Sequence, residues 1–291
     1  MSFTNRKLTG GDVWLCFFVG LFSMICILPF VYVLSVSFTS PDVFVPLKVY
    51  WFPKKWSFIN YNYLLSTRTF LDAIRSTTFV TITGTVVNLI VTFTFAYGLS
   101  RRSLPGRKIF AGLTIFTMLF SAGIVPFYIL IRSLGLMNSH WALILSTATS
   151  AWNIMVVRSF MSGIPAELQE AAKMDGSSDF GVFARVVIPL SLPCIASFTL
   201  LFAVAHWNTY FNALLFITDS TKWTLQLLVK ALIVDAGSQG VGLQGTTDSA
   251  MLPQEPLRMA AVMIAMFPIL VLYPFLQRYF VTGLTLGGVK E

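Results

Sequence analysis

Polar side chains inside the apolar runs of this chain are the first candidates for binding chemistry. Most of them fall in one short segment and the rest in neighbouring runs: His206, Trp207, Asn208, Tyr210 and Asn212, with Tyr128, Trp152 and Asn153. Aromatic faces stack on the C–H faces of a sugar, and amide groups hydrogen-bond its hydroxyls. Polar groups at membrane depth face a bundle interior or a cavity. These residues are therefore candidates for a substrate path, with hydrogen bonding between helices as the alternative role.

No combination of residues fits a catalytic centre. The sequence contains no H-E-x-x-H or G-x-S-x-G motif, and no apolar run holds a pair of carboxylates. The only other histidine is His140, so His206 lacks the partners that a metal site needs. Residues 240–245 match G-x-G-x-x-G, but no strand pattern precedes them, so we expect a loop and no dinucleotide site. We therefore expect no catalytic residue, metal or cofactor in this chain.

The polar interval between residues 162 and 189 carries a second kind of chemistry. Four of its residues recur at i, i+3, i+4 and i+7, which places them on one face of a helix. They are Glu167, Glu170, Ala171 and Met174. Two carboxylates, a methyl group and a thioether form a small docking surface for another protein rather than a surface that faces lipid.

The ends of this helix are also encoded. Pro165 suits the first helical turn, because the N–H that proline lacks has no partner there. Gly176 suits the position just past the helix end, where a left-handed backbone is needed. The sequence predicts a helix of at most three turns from Pro165 to Asp175, and Ser177 or Ser178 can cap the next helix.

The same stretch resembles the EAA loop of the permease subunits of binding-protein-dependent ABC importers, which has the form E-A-A-x3-G-x9-I-x-L-P. Val186 and Ile188 stand in place of its isoleucine and leucine and keep their apolar character. The resemblance implies a coupling helix seated in a cleft of an ATPase subunit. It implies coupling roles for Glu167, Glu170, Ala171, Ala172, Met174, Asp175, Gly176 and Pro189. The alternative is an ordinary capped helix in a hairpin loop.

Composition excludes a water-soluble globular domain. The 291 residues are 56% hydrophobic and 11% charged, whereas a soluble domain is about 25% charged. We therefore predict an integral membrane protein. The net charge of +8 is then a topology signal and an attraction to anionic lipid, not a nucleic-acid footprint. Cys16, Cys26 and Cys194 fall inside apolar runs and are read as small hydrophobic residues.

Hydrophobic runs predict an all-α, polytopic membrane protein with six transmembrane helices. A membrane-spanning helix needs about 20 apolar residues. The six runs cover residues 13–38, 76–100, 109–131, 141–157, 186–217 and 259–277. The first is retained as a span rather than removed as a signal peptide. The fifth carries Pro189 and Pro193, so its start is expected to be kinked.

Charge in the short loops predicts the orientation. Residues 101–108 carry four positive charges and no acid: Arg101, Arg102, Arg107 and Lys108. The positive-inside rule places this loop in the cytoplasm. Six spans then place both termini and the Glu170 loop on the cytoplasmic side, where an ATPase is found.

The C-terminal segment from Gln277 to Lys290 resembles the tail of carbohydrate-importer permeases, especially the smaller subunit of maltose-type and alginate-type systems. The resemblance extends from about Phe70 to the end of the chain, and it implies the type I ABC importer permease fold. In maltose-type importers this tail reaches into the ATPase dimer. Here the corresponding residues are Gly283, Gly287, Gly288 and Lys290, and a disordered basic tail is the alternative.

The sequence thus predicts a transport subunit, not an enzyme, that moves a sugar or oligosaccharide through a bacterial or archaeal plasma membrane. Residues 1–69 hold the N-terminal tail, first span and outer loop, 70–277 the core with its coupling loop at 162–189, and 278–291 the cytoplasmic tail. The implied partners are a second permease, two cytoplasmic ATPase copies that bind ATP and Mg²⁺, and an external solute-binding protein.

Two alternatives remain open from the sequence. One is an ABC permease for peptides or amino acids, and the other is an autonomous channel or secondary transporter. The uncharged spans disfavour ion coupling. Lys230 and Arg258 are compatible with an acidic oligosaccharide, but the sequence does not name the sugar.

Overall fold

A computed structural model describes residues 10–46, 48–101, 103–234 and 253–288 of the chain, and among these it shows helices joined by turns. The described residues form no β-strand, apart from an isolated antiparallel bridge between Thr39 and Trp56. The all-α prediction is therefore confirmed. Residues 240–245 and Lys290 lie outside the described residues.

The described residues divide into two compact units, and the first combines those described within 10–67 with residues 232–234 and 253–266. Helix α1 (Gly10–Ser37) is unbroken despite Pro29, and helix α2 (Ile59–Ser66) is attached to its end. The buried amide of Asn60 donates to the carbonyl of Ser37 at 3.2 Å, and the Ser37 and Tyr61 hydroxyls are 2.8 Å apart. The first bond satisfies a backbone carbonyl where α1 stops, and the second joins side chains of α1 and α2.

The second unit combines residues 68–231 with the chain beyond residue 266. Its helices are α3 (Arg68–Ser100), α4 (Arg107–Leu119), α5 (Ile124–Ser133), α6 (His140–Ser146), α7 (Ala151–Ser162), α8 (Ala166–Met174), α9 (Asp179–Val182), α10 (Ile188–Leu190), α11 (Leu192–Trp207), α12 (Phe211–Phe216) and α13 (Leu225–Val234). A π-helical turn, Phe183–Val187, joins α9 to α10. Helices α13 and α14 (Gln254–Gly288) belong partly to each unit.

Three helices are long and apolar enough to cross a membrane unbroken, over residues 11–37, 68–100 and 254–274. Two more stretches pass only as bent spans, with 120° between α4 and α5 and 80° between residues 179–190 and α11. The described residues therefore hold up to five spans, and the predicted count of six is not confirmed. The kink expected near Pro189 and Pro193 is present.

The predicted fourth span, residues 141–157, is where the count departs from expectation. It consists of α6 and α7, which have seven and 12 residues and are separated at 147–150. Small polar residues fill the break, and the Thr147 hydroxyl donates back to the Leu143 carbonyl at 2.9 Å. Such bonds compete with the helical ladder. Hydropathy does not register this break, because the whole stretch stays apolar on average.

Helix α3 organises the second unit, since α7 and α11 both pack along it. Toward its C-terminal half, the rings of Phe93 and Phe198 meet edge to face with centroids 6.2 Å apart. Toward its N-terminal half, Val80 belongs to a buried cluster with Leu143 and Phe216. The core of this unit therefore extends along both halves of α3.

Gly84 lets α3 and α11 approach closely at the middle of this packing. An ideal Cβ at Gly84 would lie 2.5 Å from both Cε1 and Nε2 of His206. His206 is only 2% exposed, so its ring has little open space into which it could move away from a new Cβ. The crossing therefore depends on the missing side chain of a glycine, as is common between membrane helices.

We predict that Gly84→Ala lowers the free energy of unfolding by about 1–3 kcal/mol, the cost of overpacking a filled site. Gly98→Ala, on the same helix, is the matched control, because its Cβ would meet only Leu104 Cδ2 at 3.9 Å. Thermal unfolding of the detergent-solubilised protein measures both variants. Equal midpoints for the two would contradict the close approach, and Gly84→Ala combined with His206→Ala should be less harmful than the two changes added together.

Candidate functional site

Helix α8 forms within the predicted segment and ends as predicted. It runs from Ala166 to Met174, with Pro165 as its extended N-cap rather than in its first turn. Gly176 has φ of +83°, in the left-handed region. Its N–H donates to the Lys173 carbonyl and that of Ser177 to the Ala172 carbonyl, both at 3.0 Å. This pair of bonds is the Schellman arrangement that terminates a helix at glycine.

The chain after α8 re-enters the bundle through a second cap. The Ser178 hydroxyl accepts from the Gly181 N–H at 3.1 Å, so Ser178 is the capping serine. In the π-helical turn the Ile188 N–H donates to the Phe183 carbonyl, five residues back. This wider turn comes directly before Pro189, whose ring would otherwise clash with the preceding turn of a regular α-helix.

The acidic face of α8 is exposed. Glu167, Glu170 and Ala171 face solvent, and Met174 is 88% exposed. Ala172 differs from the other EAA residues, because it is partly buried against the cluster that includes Val182 and Met161. Ala172 therefore seats the helix on its own bundle, while its neighbours on the opposite face remain available to a partner.

Arg101 attaches the inner side of α8 to the end of α3. Its guanidinium donates to the Gln169 side-chain oxygen on α8 and to Asp179 Oδ1 at 3.2 Å. Lys173 Nζ lies 2.7 Å from the same Asp179 oxygen. Sequence reasoning treated Arg101 only as a topology charge, because nothing local in the sequence pairs it with a residue 68 positions away.

The structure divides the predicted aromatic and amide cluster. Helix α11 ends at Trp207, and the Asn208 side chain caps it by donating to the Val204 carbonyl at 2.9 Å. His206 is buried against Gly84, and the partly buried Tyr210 packs on the cluster around Phe216. The cluster is therefore a helix end with two packing residues and one exposed amide.

Four further candidates are also placed by packing or exposure. Tyr128 stacks on Phe216 with ring centroids 6.3 Å apart, and the Asn212 amide donates to the Ser146 hydroxyl at 3.4 Å. Trp152 is exposed at the start of α7, and Asn153 beside it is partly buried. Tyr128 and Asn212 therefore connect helices, which was the alternative role considered for polar residues in spans.

A polar strip that sequence reasoning missed begins at Asn208. The Gln226 side-chain amide donates to the Asn208 side-chain oxygen at 3.3 Å, and Lys230 lies four residues further along α13. Residues at i and i+4 share a helix face. The buried Thr77 hydroxyl accepts from the Leu225 N–H at 2.7 Å and anchors the start of α13 on α3. Asn208, Gln226 and Lys230 therefore form one strip, which we name the amide–lysine strip.

Hydrogen bonds connect the turn before α6 with the turn after α12. Asn138 adopts φ of +57°, and its side-chain oxygen accepts from the N–H groups of Thr218 and Asp219 at 3.3 and 3.0 Å. Hydrogen bonds from the Thr221 side chain and backbone hold the pKa of Asp219 below its usual range. The second of these turns leads directly into α13, which carries Gln226 and Lys230.

The tail residues are only partly described. The backbone of Gly283, Gly287 and Gly288 is helical, because α14 continues to Gly288. Among the residues that the structure describes, no group of three or more His, Cys, Asp or Glu is arranged to hold a metal ion.

No family model matches the chain. It is 41% identical over 280 residues to the polygalacturonan/rhamnogalacturonan transport system permease protein YtcP of Bacillus subtilis, covering 96% of this chain and 98% of that protein. It is 41% identical over 279 residues to the protein LplC of the same organism, covering 96% and 94%. The peptide, amino-acid and autonomous-channel alternatives find no support in these similarities.

The fold matches solved permeases. A chain of a bacterial ABC transporter that imports the acidic polysaccharide alginate aligns with TM-score 0.86 and 30% identity, over 95% of this chain and 100% of that one. A second chain comes from the alginate transporter in complex with an alginate pentasaccharide-bound periplasmic protein. It aligns with TM-score 0.56 and 16% identity, over 90% and 92%, and shows the fold alone. This chain is accordingly a multi-pass protein of the cell membrane and a transport component rather than an enzyme, and it belongs to the permease subunits of binding-protein-dependent ABC importers.

Proposed function

We propose that this chain forms, with a second permease subunit, the path by which an acidic oligosaccharide enters a bacterial or archaeal cell. Two copies of a cytoplasmic ATPase bind ATP and Mg²⁺, and an external solute-binding protein delivers the sugar. Residues 70–277 form the core, residues 1–69 add the first span, and residues 278–291 reach the ATPase. The observation that carries the proposal is the exposed acidic face of α8 in a chain of the importer permease family.

The α8 face is chemically suited to an ATPase cleft. Met174 is a large apolar side chain left almost fully exposed, which marks an interaction surface better than it suits water. Glu167 and Glu170 lie on the same face of α8, and their carboxylates would pair with basic residues of a partner. An exposed ion pair contributes only about 0–1 kcal/mol. When the pair is enclosed in a protein cleft, removing one partner costs about 3–5 kcal/mol of binding free energy, because the other charge stays buried without a counter-charge.

The acidic substrate class rests on two supports. YtcP is named for polygalacturonan, a polymer of galacturonic acid, and the similar solved transporter imports an acidic polysaccharide. In this chain, Lys230 is exposed at the end of the amide–lysine strip. Asn208 and Gln226 offer amides to sugar hydroxyls, and Lys230 offers a cation to a carboxylate. Trp207 and Trp152 are proposed as stacking surfaces along the same path.

We predict that Glu170→Lys leaves the bundle folded, because the site lies on an exposed helix face, but weakens ATPase binding or uncouples hydrolysis from transport. The measurement is the amount of ATPase that co-purifies with tagged permease, together with sugar-stimulated hydrolysis in proteoliposomes. Asp42→Lys, an equal charge change at a distant carboxylate whose exposed pair with Lys55 contributes little, is the control. Wild-type binding, hydrolysis and uptake in Glu170→Lys would remove the main support for the proposal.

Glycine variants separate coupling from general strain. Gly176→Val and Gly135→Val both place a β-branched residue at positive φ, +83° and +69°, with open space around the new Cβ. Both should cost stability through backbone strain. Only Gly176→Val should also reduce ATPase binding, because Gly135 lies in the turn after α5, away from α8.

We predict that Lys230→Gln raises the half-saturation concentration for a galacturonate oligosaccharide about tenfold, since a hydrogen bond to a charged group contributes about 1.5–3 kcal/mol. Lys230→Arg should retain transport, and Asn208→Ala should lower it while the complex still assembles. Uptake of labelled oligosaccharide into proteoliposomes measures each effect. Normal transport by both Lys230→Gln and Asn208→Ala would show that the amide–lysine strip lies off the path.

Orientation is tested with single cysteines in a variant that lacks the three native ones. We predict that Ser66→Cys reacts with an impermeant thiol reagent added to intact cells and that Ser103→Cys does not. Both serines are exposed, so burial does not explain a difference. The reverse pattern would invert the proposed topology, in which both termini and the loop at 101–108 are cytoplasmic.

A further inference from the structure

We infer that Arg101 is a positioning residue for energy coupling: its guanidinium fixes α8 to the end of α3, so that movement of α8 moves the bundle. The inference rests on the proposed role of α8 as the ATPase-docking helix. It assigns to the loop between α3 and α4 a function that its positive charge alone does not require.

Arg101 is the first residue after α3, and it holds two separate elements at once. One guanidinium nitrogen donates to Gln169 on α8, and the other donates to Asp179 Oδ1 at 3.2 Å, at the start of α9. Its side chain is only 19% exposed, whereas that of Asp179 is 73% exposed. The arginine is therefore the enclosed centre of the contact, with Gln169 partly buried beside it and Asp179 lying toward solvent.

A stacked tyrosine fixes the direction of the arginine. The Arg101 guanidinium carbon lies 5.3 Å from the centre of the Tyr97 ring. The Tyr97 hydroxyl donates to the Asp179 carbonyl at 3.3 Å, and its ring packs on that of Phe183 with centroids 4.7 Å apart. The planar guanidinium of Arg101 stacks on a ring and donates two hydrogen bonds in fixed directions. The ammonium group of a lysine cannot do both.

Helix α8 depends on this contact because it has little else to hold it. None of its nine residues is fully buried, and Ala172 is the one that packs against the buried cluster around Val182. Lys173 reaches only Asp179, which Arg101 itself binds. A force applied to the exposed face of α8 therefore reaches α3 through Ala172 and through the Arg101 fork.

The neighbouring Arg107 offers a matched control. It lies in the same basic loop, but its Nε donates to the Leu99 carbonyl at 2.7 Å, within the loop's own connection to α3. Arg107→Gln removes the same charge as Arg101→Gln without touching α8. A pure topology or lipid-charge role predicts equal effects of the two variants, whereas a positioning role predicts an effect of Arg101→Gln alone.

The experiment measures ATP hydrolysed per sugar imported by the complete importer in proteoliposomes. We expect Arg101→Gln to retain bound ATPase and hydrolysis while the ATP-to-sugar ratio rises at least fivefold. Arg101→Lys should give an intermediate ratio, and Arg107→Gln should match wild type. Gln169→Ala added to Arg101→Gln should raise the ratio no further, because both changes break the same contact. A wild-type ratio in Arg101→Gln overturns the inference.

Two comparisons keep the result interpretable. Wild-type behaviour of Glu170→Lys defeats the docking role of α8 itself, whereas uncoupling by Glu170→Lys with a normal Arg101→Gln defeats only the role of Arg101. Should Arg101→Gln fail to assemble, Gln169→Ala with Asp179→Ala removes both side-chain acceptors and leaves the arginine in place. A wild-type ratio in that double variant equally overturns the inference, and a raised ratio supports it.

Discussion

The need to satisfy every backbone hydrogen bond within lipid constrains this structure more than any single contact. Continuous helices meet that need by themselves, and every interruption requires another donor or acceptor. At the interruptions inside the apolar runs the replacements are specific: the side-chain cap of Asn208 and the back-bonding hydroxyl of Thr147. The Schellman bonds at Gly176 do the same outside the apolar runs, where water is also a partner. Both candidate sites lie at helix ends, because irregular backbone there presents side chains to a partner or a solute.

Helix α3 connects the two sites physically. Thr77, near its start, anchors α13 and with it the amide–lysine strip, while Arg101, just past its end, holds α8. These two residues are 24 positions apart, which corresponds to about 36 Å along a helix. An unbroken helix of this length changes shape little when one end is displaced. The close contact at Gly84 and His206, between the two ends, makes α11 follow the same movement.

Local pattern predicted what depends on local geometry. The 3.6-residue period gave the exposed face of Glu167, Glu170 and Met174, and the glycine after α8 has the positive φ that its position required. Contacts between distant positions were beyond reach, because the pairing of Arg101 with Gln169 arises only when α3 and α8 are brought together. The breaks inside the predicted spans were not foreseen for a different reason. Mean hydropathy measures whether a stretch tolerates lipid, and it does not measure whether its backbone stays helical.

The residues around Arg101 differ in their exposure to water, and this difference affects how strongly α8 would be held to α3 before and after an ATPase docks. With α8 uncovered, the bond between Lys173 and Asp179 is largely open to water, and such pairs contribute little because water screens them. If an ATPase cleft covers α8, as proposed, it also lowers the local dielectric around this network, and charge interactions strengthen as water leaves. In the proposed complex the connection between α8 and α3 is therefore expected to be stiffest when the ATPase is bound and closed, because force then passes through it. Buried apolar contacts between α8 and α3 would have the same strength with and without a bound ATPase, so they would not stiffen on docking.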